Sequence, residues 1–142
     1  MRTLIIGNGD GIGLALTKRL FGDGEEVVGV SRRPLEPLGD RLRQHTVDDL
    51  DPQFGELIAK IVVVAGQIDT LVYCAGIGDP FETSVVDRDG DIIRVNFAAL
   101  ADAVRAVLPS MRARGAGRII GESNTGRRQE PTRLPWKPLY LS

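Results

Sequence analysis

The stretch GNGDGIG, Gly7 to Gly13, lies between the apolar run TLII (Thr3–Ile6) and the periodic segment LALTKRLF (Leu14–Phe21). A short continuous apolar run stopped by glycine suits a strand buried on both faces of a parallel sheet. After it, Ile12, Leu16, Leu20 and Phe21 recur at helical spacing, and Gly22-Asp23-Gly24 stops the run. The glycines therefore sit at a strand-to-helix turn. A phosphate reaches backbone N–H groups at a helix N-terminus only where no Cβ blocks it, and glycine also permits positive φ. Glycines at 7, 9, 11 and 13 meet that need. Counted from Gly7, the spacing G-x-G-x-x-G requires glycine at position 12, where Ile12 stands. The phosphate loop of nucleoside triphosphatases requires Lys and then Ser or Thr after its last glycine, but Leu14 and Ala15 follow Gly13. What remains is G-x-x-x-G-I-G.

Outward from this turn, strands and helices alternate. EVVGVS is short and β-branched, and the two prolines of RRPLEPLG end that second strand near Ser31. RQHTV reads as a third strand, and DDLDP as the turn into a helix beginning near Gln53. FGELIAKIVVVAG reads as a helix because Phe54, Leu57, Ile58 and Ile61 share a face, although Ile61–Val64 alone also fits a strand. DTLVYCAG repeats the strand-then-glycine design, broken at Asp79-Pro80. Between Val85 and Arg114, a stripe of Ile93, Phe97, Leu100, Val104, Val107 and Met111 predicts a long helix packed on the sheet. Pro109 should kink it or mark its last turns, Gly115 and Gly117 end it, and RII begins a fifth strand. Short alternation of this kind implies β-α-β crossovers, a parallel sheet and helices on both faces. Ligands of such sheets bind beyond the carboxyl ends of the strands, where GNGDGIG lies.

Composition narrows the functional classes. With 142 residues, 42% hydrophobic and 26% charged, the chain fits one globular domain, and no apolar run is long enough to span a bilayer. A formal charge of −1 with scattered Lys and Arg provides no basic field for nucleic acid. The single cysteine, Cys74, forms no internal disulfide, and the apolar part of MRTLIIGNGDG is too short for a secretory signal. A cytoplasmic protein with no nucleic-acid or membrane partner is the expectation.

The motifs in order resemble the short-chain dehydrogenase/reductase family. Its first turn reads T-G-x-x-x-G-x-G, with Ile6 here in place of the Thr. DDLDP (48–52) is similar to the family's D-V-x-D turn, YCAG (73–76) to N-N-A-G, and VNFAA contains Asn96 where the family has V-N-x-x-G. The likeness runs from Thr3 to about Ile120. It implies an α/β, Rossmann-like, doubly wound parallel sheet of about five strands in the order 3-2-1-4-5, incomplete relative to the family. Residues 1–120 would form the dinucleotide-binding domain and 121–142 an irregular Pro- and Arg-rich tail. The resemblance further implies that the loop Gly7, Asn8, Gly9, Asp10, Gly11, Ile12 and Gly13 holds a pyrophosphate. Asp48 would meet the adenine ring, and Cys74, Ala75 and Gly76 would line the adenine ribose and the cofactor floor. Ser31, Arg32 and Arg33 bear on the choice of cofactor: an acid that would accept from a ribose 2′-OH is missing there, whereas two guanidinium groups suit a 2′-phosphate. Asp10 opposes that phosphate, and the arginines also fit solvated loop charges. NADP is favoured, with NAD as the alternative.

Departures from the family bear on catalysis. Hydride transfer to a carbonyl needs a nearby proton donor, which the family supplies through Y-x-x-x-K. Tyr73 is followed four residues on by Ile77, and Tyr140 lies two residues from the last residue given. Asn96 and Ser123 remain as members of the implied catalytic set, with Glu122 standing where the family's strand continues apolar. From there, Pro131, Pro135, Pro138 and Trp136 belong to a stretch unlike a family helix. Two readings stand: an oxidoreductase acting on an alcohol or carbonyl but impaired in this chain, or a non-catalytic dinucleotide-binding or interaction module from a truncated or frame-changed gene. Self-association through the 85–114 helix would compensate for an open sheet edge.

Overall fold

Within the computed structural model, which describes residues 1–75 and 97–122, every described strand pairs in parallel. The elements are β1 (Arg2–Ile6), α1 (Gly11–Gly22), β2 (Glu26–Ser31), β3 (Leu42–Thr46), α2 (Phe54–Ala65), β4 (Thr70–Tyr73), α3 (Ala99–Arg114) and β5 (Arg118–Gly121). The sheet order is β3-β2-β1-β4-β5, as the family resemblance implies. β1 is central: Ile6 lies in register with Val30 on one side and Tyr73 on the other. The chain builds outward through β2 and β3, then crosses β1 to start β4, so the connections diverge beside the end of β1. Backbone pairing continues one step past the strands, with Gly7 N–H donating to Val30 O at 2.8 Å and Cys74 N–H to Ile6 O at 2.8 Å.

Strand alternation divides the core between two faces. Leu4, Ile6, Val28, Val30, Leu71 and Tyr73 face α2 and α3, where they meet Phe54, Ile58, Val107 and Met111. Ile5, Val27 and Val72 face the other way, onto Leu16 and Leu20 of α1. The Ile61–Val64 run is helical: Ile61 is buried, while Val63 and Val64 are 80% and 76% exposed, a division that a 3.6-residue period produces and a strand would not.

α3 differs from the predicted stripe. Its buried row is Ala99, Ala103, Val107 and Met111; Leu100 and Val104 pack at the margin, Phe97 is 74% exposed, and Ile93 lies outside the described residues. Small side chains in a four-residue row let the helix approach its neighbours closely, so alanines rather than the larger aliphatics set the contact face. Pro109 does not end α3, which continues to Arg114. Proline removes the N–H that would bond the Arg105 carbonyl, at a point where both residues are exposed. Gly115 closes the helix at φ +66°, with its N–H on Arg112 O at 3.1 Å. Among the described residues, no helix is long and apolar enough to cross a membrane.

Leu71 has no solvent exposure at the centre of the larger cluster. Leu71→Ala should cost about 2–5 kcal/mol in denaturant unfolding, against less than about 0.5 kcal/mol for Val64→Ala.

Candidate functional site

The turn after β1 is built on positions that admit no side chain. Gly7 has φ +87°, and a Cβ there would overlap the Ala75 backbone beyond β4. A Cβ on Gly13 would overlap the Gly7 carbonyl oxygen, so the first turn of α1 is held directly against the loop. A Cβ on Gly9 would lie 3.1 Å from Ser31 Cβ. Asp10 precedes α1 in extended conformation and makes no side-chain cap, and the first turn carries no acid. The opening N–H groups of α1 therefore have no acceptor within their helix and sit at its positive end.

A buried polar layer supports this loop. Asn8 is fully buried, turned away from solvent beneath the turn. Its Nδ2 donates to Gln44 Oε1 at 2.8 Å and to Thr17 Oγ1 at 3.3 Å, and Gln44 Nε2 donates back to Asn8 Oδ1 at 2.8 Å. Gln44 Nε2 also reaches Ser31 Oγ at 2.9 Å. The pair fits because Gly29, in register with Gln44, has no side chain where the two amides meet. Sequence reasoning missed Gln44 and Thr17. Its available signal was Gly29, a glycine inside a β-branched strand, which marks a close approach of other atoms.

A cleft opens beyond the carboxyl ends of β1, β2 and β4. It is lined on one side by Gly7, Gly9 and Asp10, on another by Ser31, Arg32 and Arg33, and on its floor by Cys74 and Ala75. Val47 and Phe54 add apolar wall that the sequence reading had assigned no role at the site. Ser31 Oγ donates to the Arg33 carbonyl, fixing the path of the arginine segment. Asn8, Gly11, Ile12 and Gly13 do not line the cleft: Asn8 lies beneath the loop and Ile12 is 59% exposed. Gly76, Asn96 and Ser123 lie outside the described residues, as do Trp136 and the tail. Burial and the neighbouring Glu122, by charge and hydrogen bond, push the Cys74 thiol up to about 11, so it is protonated at neutral pH.

The two acids after β3 separate. Asp48 is exposed, and its Oδ1 accepts from the Leu50 N–H at 2.9 Å, forming a turn. Asp49 instead lines the cleft, only 7% exposed, with Oδ1 lacking any hydrogen-bond partner. Burial raises its carboxyl above the ordinary carboxylate range, Arg32 opposes that rise, and Asp48 adds to it. A carboxyl raised by folding stabilises the native state at acid pH and loses that contribution as pH climbs through its folded value. Asp49→Asn should therefore melt at a higher temperature than the wild type near neutral pH. The gap should close on acidification, as measured by thermal unfolding across pH.

The family model described as short chain dehydrogenase matches residues 2–134. The chain is 31% identical over 126 residues to 3-ketodihydrosphingosine reductase of Bacteroides thetaiotaomicron, covering 87% of this chain and 46% of that protein. Against dehydrogenase/reductase SDR family member 4 of Sus scrofa it is 30% identical, covering 87% and 49%. The chain thus spans about half the length of the curated relatives it matches. Among solved structures, the closed form of serine dehydrogenase complexed with NADP+ superposes with a TM-score of 0.73 at 30% identity, over 85% of this chain and 53% of that one. Matched along nearly all its length, and folded around a glycine turn in the strand order seen here, the chain belongs to the short-chain dehydrogenase/reductase family of oxidoreductases.

Proposed function

We propose that this chain is the nicotinamide-dinucleotide-binding portion of an alcohol or carbonyl oxidoreductase, with NADP preferred to NAD. The observation that carries this reading is the convergence of the glycine loop, the ends of β2 and β4, and Arg32 and Arg33 on one cleft. The opening amides of α1 would hold the diphosphate, since the missing side chains at Gly7 and Gly13 let the helix start pack directly against the strand ends. Arg32 and Arg33 would take a 2′-phosphate, and Cys74 and Ala75 would lie under the ribose and the ring beyond it. When bound, the nicotinamide supplies or accepts the hydride. Solved relatives described as serine dehydrogenase complexed with NADP+ and ElxO with NADP bound support the phosphorylated cofactor. Asp10, which lines the same cleft, weighs on the other side.

Catalysis rests on groups outside the described residues. Asn96 and Ser123 are the candidates for the catalytic set, acting on a small alcohol or carbonyl whose identity the cleft does not select. Because the sequence lacks Y-x-x-x-K, the chain by itself should bind cofactor but turn over slowly, a general acid ordinarily being worth about 10²–10⁴-fold. This favours the binding-module reading for the chain taken alone. Self-association would use the side of α3 beside Phe97, whose ring is largely exposed. Calorimetry with both cofactors tests the assignment. NADP should bind more tightly, and replacing Arg32 and Arg33 with Ala should weaken it about tenfold or more while changing NAD little. Tighter binding of NAD by the wild type would overturn the preference, and rapid reduction of a carbonyl panel would overturn the binding-only reading.

A further inference from the structure

Asp49 stands out among the residues around the cleft because one oxygen of its buried carboxyl has no hydrogen-bond partner. Acids near protein interiors are ordinarily paired or hydrogen-bonded, since an unpaired polar atom shielded from water is costly. Asp49 is more than nine-tenths buried, one of its oxygens has no partner, and it lines the same cleft as both arginines. The adjacent Asp48 satisfies the turn through Leu50, so the geometry of that turn does not require a second acid. Position 49 is also the place where the family's D-V-x-D turn carries valine.

We propose that Asp49 is a cofactor-selectivity residue whose ionised carboxylate competes with the 2′-phosphate for Arg32, lowering the preference for NADP over NAD. This rests on the dinucleotide reading above and extends it to the groups that set the margin between the two cofactors. The two ligands differ only by that phosphate, so a fixed negative charge near Arg32 acts on one of them alone. Arg32 makes no ion pair with Asp49 within 4.0 Å, yet its charge is the main force drawing the Asp49 carboxyl back down against burial. Its guanidinium is thus electrostatically shared between the buried acid and whatever anion enters the cleft.

The charges that face this acid come from every side. Arg32 and Arg33 follow β2, Asp10 lies in the glycine loop, Asp48 shares the turn, and α2 offers the uncharged ring of Phe54. Tyr73 of β4 is held neutral by burial, reinforced by Asp49 and Asp102. Arg32 is the arginine whose charge acts on Asp49. Raising pH through the Asp49 transition adds its charge and erodes NADP preference. The phosphate itself gains charge near pH 6, which acts in the opposite direction, so the variant provides the reference that removes this common contribution.

Calorimetric titration of the full chain with NADP and with NAD, from about pH 5 to about pH 8, tests the proposal on wild type and Asp49→Asn. In the variant at the alkaline end, the affinity ratio of NADP to NAD should rise about three- to tenfold. The difference between variant and wild type should shrink as pH falls. An unchanged ratio across the whole range would overturn the proposal, as would equal weakening of both cofactors, which would make the carboxylate an acceptor for the shared adenosine. If the variant fails to fold, the wild-type ratio alone decides: a ratio that climbs to a plateau with the phosphate and never falls back refutes competition. Failure of wild type to bind either nucleotide would instead remove the dinucleotide reading itself, and this inference with it.

Discussion

The close approach of three backbone segments at the end of β1 is the constraint on which the rest of the structure depends. Gly7 sits where the Ala75 main chain fills the space of a side chain, and Gly13 packs on the Gly7 carbonyl. These contacts bring the ends of β1 and β4 and the start of α1 into one small volume. A single added methyl at either position would separate them. Because the helix start is pressed against the strand ends, the residues leading into α1, Gly9 and Asp10, line the same opening as those following β2 and β4. The cleft is thus a consequence of sheet order combined with missing side chains.

Such a turn needs support from beneath, because a loop of glycines has little side-chain packing of its own. Asn8 provides it by pairing its amide reciprocally with Gln44, with Ser31 and Thr17 completing the layer. These bonds link the loop, α1, β2 and β3 in an interior where a satisfied polar network favours one arrangement over near alternatives. Ser31 also fixes the backbone leading to the arginines, so the support of the loop and the placement of the cationic pair share a residue. Asp49 is the exception, a buried acid left partly unsatisfied at the edge of the cleft.

Much of this was legible from local pattern. TLII and EVVGVS are apolar and β-branched runs bounded by glycine or proline, and they form strands at Arg2–Ile6 and Glu26–Ser31. The four glycines of the first turn mark the loop because they answer a steric requirement that any sequence reader can state. The buried face of α3 was read less well, since counting large aliphatics overlooked that Ala99 and Ala103 permit the closest packing. The pairing of Asn8 with Gln44 spans 36 positions and depends on strand register, which no local window contains. Which of Asp48 and Asp49 faces the cleft is decided by one turn of backbone, and the two are indistinguishable as letters. Asn96 and Ser123 both lie outside the described residues, so their place rests on resemblance alone.

The central claim is that main-chain amides at the start of α1 grip a diphosphate. Backbone amide shifts of isotope-labelled protein, followed by nuclear magnetic resonance as NADP is added, report on it directly. The account predicts the largest movements at Gly9 through Gly13, with smaller ones at Arg32, Arg33 and Ala75. Saturation at about millimolar nucleotide with those amides unmoved, or with movements confined to the opposite end of the sheet, would contradict it.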